Sequence, residues 1–160
     1  EDRKYDGFFE TMTAGQNLHL GELSKKSNPL TVVKPGRAAE LAREWGEKLR
    51  LKQISDRARM IELSGGNQQK VVIAKSLIQE PKLIVFDEPT RGVDVGAIVE
   101  IHQLIQDLAD QGLAVVVISS YLPEIMAVSD RILVAKRGKI VEEMLALDAT
   151  EEKIMFAAVH

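Results

Sequence analysis

A chain of 160 residues has about one domain's length, enough to bury roughly two thirds of its unfolded surface in a core. Hydrophobic residues make up 45% and charged residues 28%, and the formal net charge of −3 argues against nucleic acid as the main partner, since phosphate-binding surfaces carry a basic excess. The absence of cysteine excludes a disulfide framework and a thiolate site, and no apolar run reaches the length of a membrane-spanning helix.

In chain order, the charged opening EDRKYDG has no initiator Met, so the chain is expected to begin inside a longer protein. Thr13 and Gln16 are spaced as a capping box, which predicts a short helix after them. The turn-rich stretch from Ser24 to Gly36 reads as loop. After it, Ala39, Leu41, Ala42, Trp45 and Leu49 recur at helical spacing, with Trp45 read as a packing residue. In LSGGNQQK, two glycines precede a good helical run. Gly-Gly either marks a turn with positive φ or lets backbone come close to something bulky and negatively charged. Val71, Ile73, Ala74, Leu77 and Ile78 then space a helix with one buried face that ends before Pro81. The run from Lys82 to Phe86 reads as a strand buried on both faces. The stretch VGAIVEIHQLIQDLADQG reads as a long amphipathic helix with Gly112 as its cap. Leu113 to Ser119 reads as a second buried strand, followed by a short helix near Pro123 to Ala127. The strands RILVA and IVEEML flank the turn KRGK, and a last helix is expected from about Thr150, capped by Asp148 with Glu151. Buried strands separated by helices predict an α/β fold with a largely parallel sheet. No internal repeat is present.

In such a sheet, ligands gather at the carboxyl ends of the strands. Asp87 and Glu88 follow the first strand. As turn and cap residues they need no chemistry. An acid at the tip of an apolar strand is equally how a nucleotide hydrolase holds Mg²⁺, with the next carboxylate placed to orient or deprotonate water. Ser64 stands where a helix N-cap would be, and Gly65 and Gly66 would leave backbone N–H groups unshielded at the positive end of the helix dipole, an anion site suited to phosphate.

The stretch LSGGNQQKVVIAKSLIQEPKLIVFDEPTRGVDVGA resembles the signature motif, Walker B strand and D-loop of an ABC-type ATPase. It is most similar to the second of two tandem nucleotide-binding domains in bacterial importers of ribose, galactose and related monosaccharides. EDRKYDG is similar to the Q-loop segment, with Glu1 where glutamine is usual. The resemblance implies ATP and Mg²⁺ as cofactors, Asp87 holding Mg²⁺ through water and Glu88 as general base. Ser64, Gly65, Gly66 and Asn67 would complete the site of a partnering domain, with Asp94 in the D-loop between the two sites. Ser120 takes the place of the family's switch histidine and would hydrogen-bond a phosphate oxygen. The three histidines lie elsewhere, His19 and His160 expected exposed and His102 on a helix surface.

No G-x-x-x-x-G-K-[ST] loop occurs, so the chain reads as the C-terminal part of one P-loop NTPase domain lacking its Walker A strand. By the resemblance, that strand would lie inside the sheet between those at Leu113–Ser119 and Arg131–Ala135. The resemblance assigns about 11–62 to a helical subdomain that meets a membrane permease, and 63–160 to the signature helix, Walker B strand, D-loop and C-terminal strands. The implied partners are the permease, a first nucleotide-binding domain or a second copy, and indirectly an extracytoplasmic sugar-binding protein, at the cytoplasmic face of the bacterial inner membrane. An ABC ATPase of translation or DNA repair, and a non-catalytic interaction module, are the alternatives. The chain alone is expected to be inactive.

Overall fold

A computed structural model describes residues 7–25, 36–49, 51 and 57–160 of the protein. The capping box forms: the Thr13 N–H donates to Oε1 of Gln16 at 2.9 Å and the Gln16 N–H donates to Oγ1 of Thr13 at 3.2 Å. It starts helix α1, Ala14–Lys25. Helix α2 spans Arg37–Lys48, and a single 3₁₀ turn at Met60–Glu62 leads to helix α3, Gly65–Leu77. Most of the loop expected from Ser24 to Gly36 lies outside the described residues. Leu18, Leu41, Leu49, Met60, Val71 and Ala74 interlock in the core of this helical part. Trp45 packs against that core as expected, with the Lys48 ammonium 4.8 Å from its ring centre.

Strand β1, Leu83–Asp87, pairs in parallel with strand β2, Ala114–Ile118, in a register running from Leu83 opposite Ala114 to Asp87 opposite Ile118. Helix α4, Val95–Asp110, crosses between them, and its Ile101, Ile105 and Leu108 cover Ile84 and Phe86. Gln111 is the C-cap and Gly112 lies just beyond it with φ 89, its N–H donating to the Ala109 carbonyl at 2.9 Å. Helix α5, Leu122–Val128, leads to an antiparallel hairpin of β3, Arg131–Lys136, and β4, Lys139–Leu145. Helix α6, Glu151–Val159, packs on the hairpin through Ile154.

Three expectations need correction. β1 and β2 are covered on one face only. Leu83, Val85, Val116 and Ile118 are about half exposed, because α4 lies against one side and no described element lies against the other. The parallel pair and the antiparallel hairpin are separate two-stranded sheets, so β2 and β3 are not hydrogen-bonded neighbours, as expected of strands with a missing strand between them. At α6 the cap is Thr150, whose Oγ1 accepts the Lys153 N–H at 3.2 Å. Asp148 is taken up in the 3₁₀ turn Ala146–Asp148, where its carbonyl accepts Lys153 Nζ. His19 is half-buried rather than exposed, 4.0 Å from Glu22.

Candidate functional site

The carboxyl end of β1 is built by backbone hydrogen bonds before any side chain is considered. The Glu88 N–H donates to the Ile118 carbonyl at 2.8 Å, which carries the parallel ladder one residue past Asp87. Glu88 itself sits at φ 48, in the left-handed region where a side chain costs energy. Two successive turns, with the Arg91 N–H on the Glu88 carbonyl and the Val93 N–H on the Thr90 carbonyl, then bring the chain to α4. Pro89 and Thr90 are buried beneath this bend.

The bend sets the Glu88 side chain against the end of β2. Its Oε1 accepts the backbone N–H of Ser120 at 2.9 Å. The Ser120 hydroxyl, and after it the Ser120 N–H, hold the Glu88 carboxyl below the usual carboxylate range. It is therefore ionised at neutral pH. A cleft of about 490 Å³ opens here, lined by Glu88, Thr90, Arg91, Ile98, Ser120 and Tyr121. Asp87 is exposed at the strand tip. Among the described residues no three His, Cys, Asp or Glu side chains gather as a metal cage. A hard cation that keeps its waters and leans on one carboxylate fits this donor set. Ser120, expected to face a phosphate, is the residue that holds Glu88.

The second group of expected residues surrounds the start of α3. Ser64 is the N-cap, its Oγ accepting the Asn67 N–H at 3.4 Å. Neither Gly65 nor Gly66 has positive φ, so the glycine pair is the first turn of a helix and not a separate turn. Gly66 is buried, and a Cβ there would lie 2.4 Å from Cβ of Ala97 on α4. At Gly66 the backbone of α3 thus comes close to α4 of the same chain. Asp94 caps α4, its Oδ2 accepting the Ala97 N–H at 3.1 Å, so Asp94 and Gly66 meet at Ala97. Glu1 lies outside the described residues.

Sequence reading missed three polar links. The Lys70 ammonium is buried and donates to Oε2 of Glu100 at 2.6 Å, tying α3 to α4. Gln68 donates from Nε2 to the carbonyls of Met60 and Leu63, fixing the turn that leads into Ser64. His102 on α4 lies 3.2 Å from the buried Glu124 on α5. The only signal for the first two is their place on the buried face of α3, and for Glu124 there is none.

Among the described residues no helix is long and apolar enough to cross a membrane. The family described as ABC transporter matches residues 3–91, more than half of the chain. The ribose import ATP-binding protein RbsA of Caldanaerobacter subterraneus subsp. tengcongensis is 46% identical over 159 residues, 99% of this chain and 32% of that protein. The xylose import ATP-binding protein XylG of Pectobacterium atrosepticum is 43% identical over 160 residues, 100% of this chain and 31% of that protein. The chain therefore spans about a third of the length of these relatives. A nucleotide-free ATP-binding cassette from an ABC transporter superposes with a TM-score of 0.74 at 30% identity, over 92% of this chain and 59% of that one. A dimeric bacterial ABC transporter cassette gives a TM-score of 0.73 at 26% identity, over 89% and 60%. With its acid-tipped parallel strand and its glycine-started helix packed on α4, the chain belongs to the ABC transporter family.

Proposed function

We propose that the chain is part of an ATP-binding and ATP-hydrolysing domain that powers monosaccharide import at the cytoplasmic face of the bacterial inner membrane. The observation that carries this reading is the hydrogen bond from the Ser120 N–H to Glu88 at the carboxyl end of β1. It leaves an ionised, oriented carboxylate on the wall of an open cleft. Such a group accepts the proton of an attacking water, the task of a general base in phosphoryl transfer.

Asp87, one residue earlier, would hold Mg²⁺ through water. The ion, where bound, neutralises charge on the phosphates. Ser64, Gly65, Gly66 and Asn67 would offer the start of α3 to ATP held by a partnering domain, either a first nucleotide-binding domain or a second copy. Asp94 stands at the neighbouring start of α4, so a shift of one helix is felt at the other through Ala97. Glu1 would occupy the Q-loop position. The names of the relatives, ribose and xylose import ATP-binding proteins, support a monosaccharide cargo. A membrane permease would be the direct partner, fed by an extracytoplasmic sugar-binding protein.

The test is Glu88→Gln in a polypeptide of the relatives' length that carries this chain. ATP binding should persist while hydrolysis falls about 100-fold or more, the scale of a lost general base. Hydrolysis at the unmodified rate would overturn the assignment.

A further inference from the structure

Behind the loop that carries Ser120 lies a polar pair that the reading above does not use. Helix α5 has seven residues, too few to stand on local propensity, and its N-cap Tyr121 makes no side-chain cap. Glu124 is the third residue of that helix, where a carboxylate ordinarily reaches back to the capping backbone N–H. Here it turns inward instead. Glu124 is fully buried, with its Oε1 3.2 Å from Nε2 of His102 on α4. One turn further along α4, Gln106 donates from Nε2 to the Ala127 carbonyl at 3.0 Å. His102 and Gln106 lie four residues apart and so share a face of α4. The two bonds fasten α5 near both of its ends.

The start of α5 is also the end of the Ser120 loop. The Glu124 N–H donates to the Tyr121 carbonyl at 3.1 Å, and the Tyr121 N–H donates to Oγ of Ser119 at 3.0 Å. Any movement of Glu124 is therefore passed to the residues on either side of Ser120. Oε2 of Glu124 is buried without a hydrogen-bond partner, alone in this among the side-chain atoms of the described residues. Such a group costs stability, and a leucine of similar size would not. What the carboxyl adds is direction, because a hydrogen bond tolerates little displacement whereas an apolar contact slides.

We propose that His102 and Glu124 are positioning residues for Glu88: their bond sets the start of α5 on α4 and thereby holds the Ser120 N–H against the Glu88 carboxylate. This deepens the reading of Glu88 as a base and rests on that reading only for its catalytic consequence.

The experiment follows two signals in this chain without nucleotide, amide hydrogen exchange at Ser120 and the ¹³C carboxyl shift of Glu88 at pH 7. Loss of the pair in His102→Ala or Glu124→Leu should speed Ser120 exchange by about tenfold and move the Glu88 signal toward that of a free glutamate, with Val71 and Ile73 on α3 unchanged. His102→Gln, which keeps a donor, should restore both signals. Should His102→Ala fail to fold, His102→Asn keeps a polar group too short to reach Glu124 and is read in the same way. Unchanged Ser120 and Glu88 signals would overturn the proposal. So would an equal rise in exchange at Ser120 and Val71, which would mark general loosening. Neither signal involves hydrolysis, so a failure here is distinct from a failure of Glu88→Gln.

Discussion

The backbone N–H of Ser120 donates to Oε1 of Glu88 at 2.9 Å, joining the ends of two parallel strands through one carboxylate. The Ser120 hydroxyl and N–H both favour the ionised form, so the folded carboxyl titrates below an unfolded one. A group of lowered pKa contributes stability that is fully present above the unfolded value and is lost as pH falls through the folded value. Ser120→Ala removes the hydroxyl and leaves the N–H. Its Glu88 carboxyl should titrate higher than in the unmodified chain yet still below a free glutamate, as followed by ¹³C NMR, and the pH dependence of unfolding should flatten on the acid side.

Gly66→Ala should destabilise the chain by about 1–3 kcal/mol, the usual cost of an overpacked contact. The added Cβ would stand 2.4 Å from Cβ of Ala97, and neither atom belongs to a flexible side chain. Urea unfolding of Gly66→Ala, Ala97→Gly and the pair would show a positive coupling, with the double variant less harmed than the sum.

Lys70 and Glu100 should respond unequally. The Lys70 side chain is 4% exposed and Glu100 46% exposed. Glu100→Ala strands a buried ammonium and should cost about 3–5 kcal/mol. Lys70→Met fills the buried stem position with an apolar side chain of similar length and should change stability by less than about 1 kcal/mol. Thermal unfolding of the two variants decides the order.

The open face of β1 and β2 should make the chain associate as concentration rises. Leu83, Val85, Val116 and Ile118 are each about half exposed on one face, and a contiguous exposed apolar patch favours association. Light scattering should show mass increasing with concentration, and Val116→Lys should suppress the increase.

Residues with a local cause were legible in the sequence. The Thr13 and Gln16 box, the cap of α4 beyond Gln111 and the strand that ends in Asp87 follow from spacing and turn chemistry alone. Burial was not, because an apolar run states what a strand can bury and not what lies against it. β1 and β2 carry apolar residues on both faces, yet α4 covers one. Gly66 shows the same limit at the site: the sequence calls for close approach, and only the fold reveals Ala97 as the neighbour. His102 and Glu124 lie 22 residues apart on two helices, beyond the reach of any periodicity.

A calorimetric titration of the 160-residue chain with a slowly hydrolysed Mg-ATP analogue tests the central claim most directly. If Asp87, Glu88 and the start of α3 form the hydrolytic and signature parts of a site whose phosphate-gripping loop is not in this sequence, the chain alone should show no saturable binding. Submillimolar, one-to-one binding would contradict that division of the site.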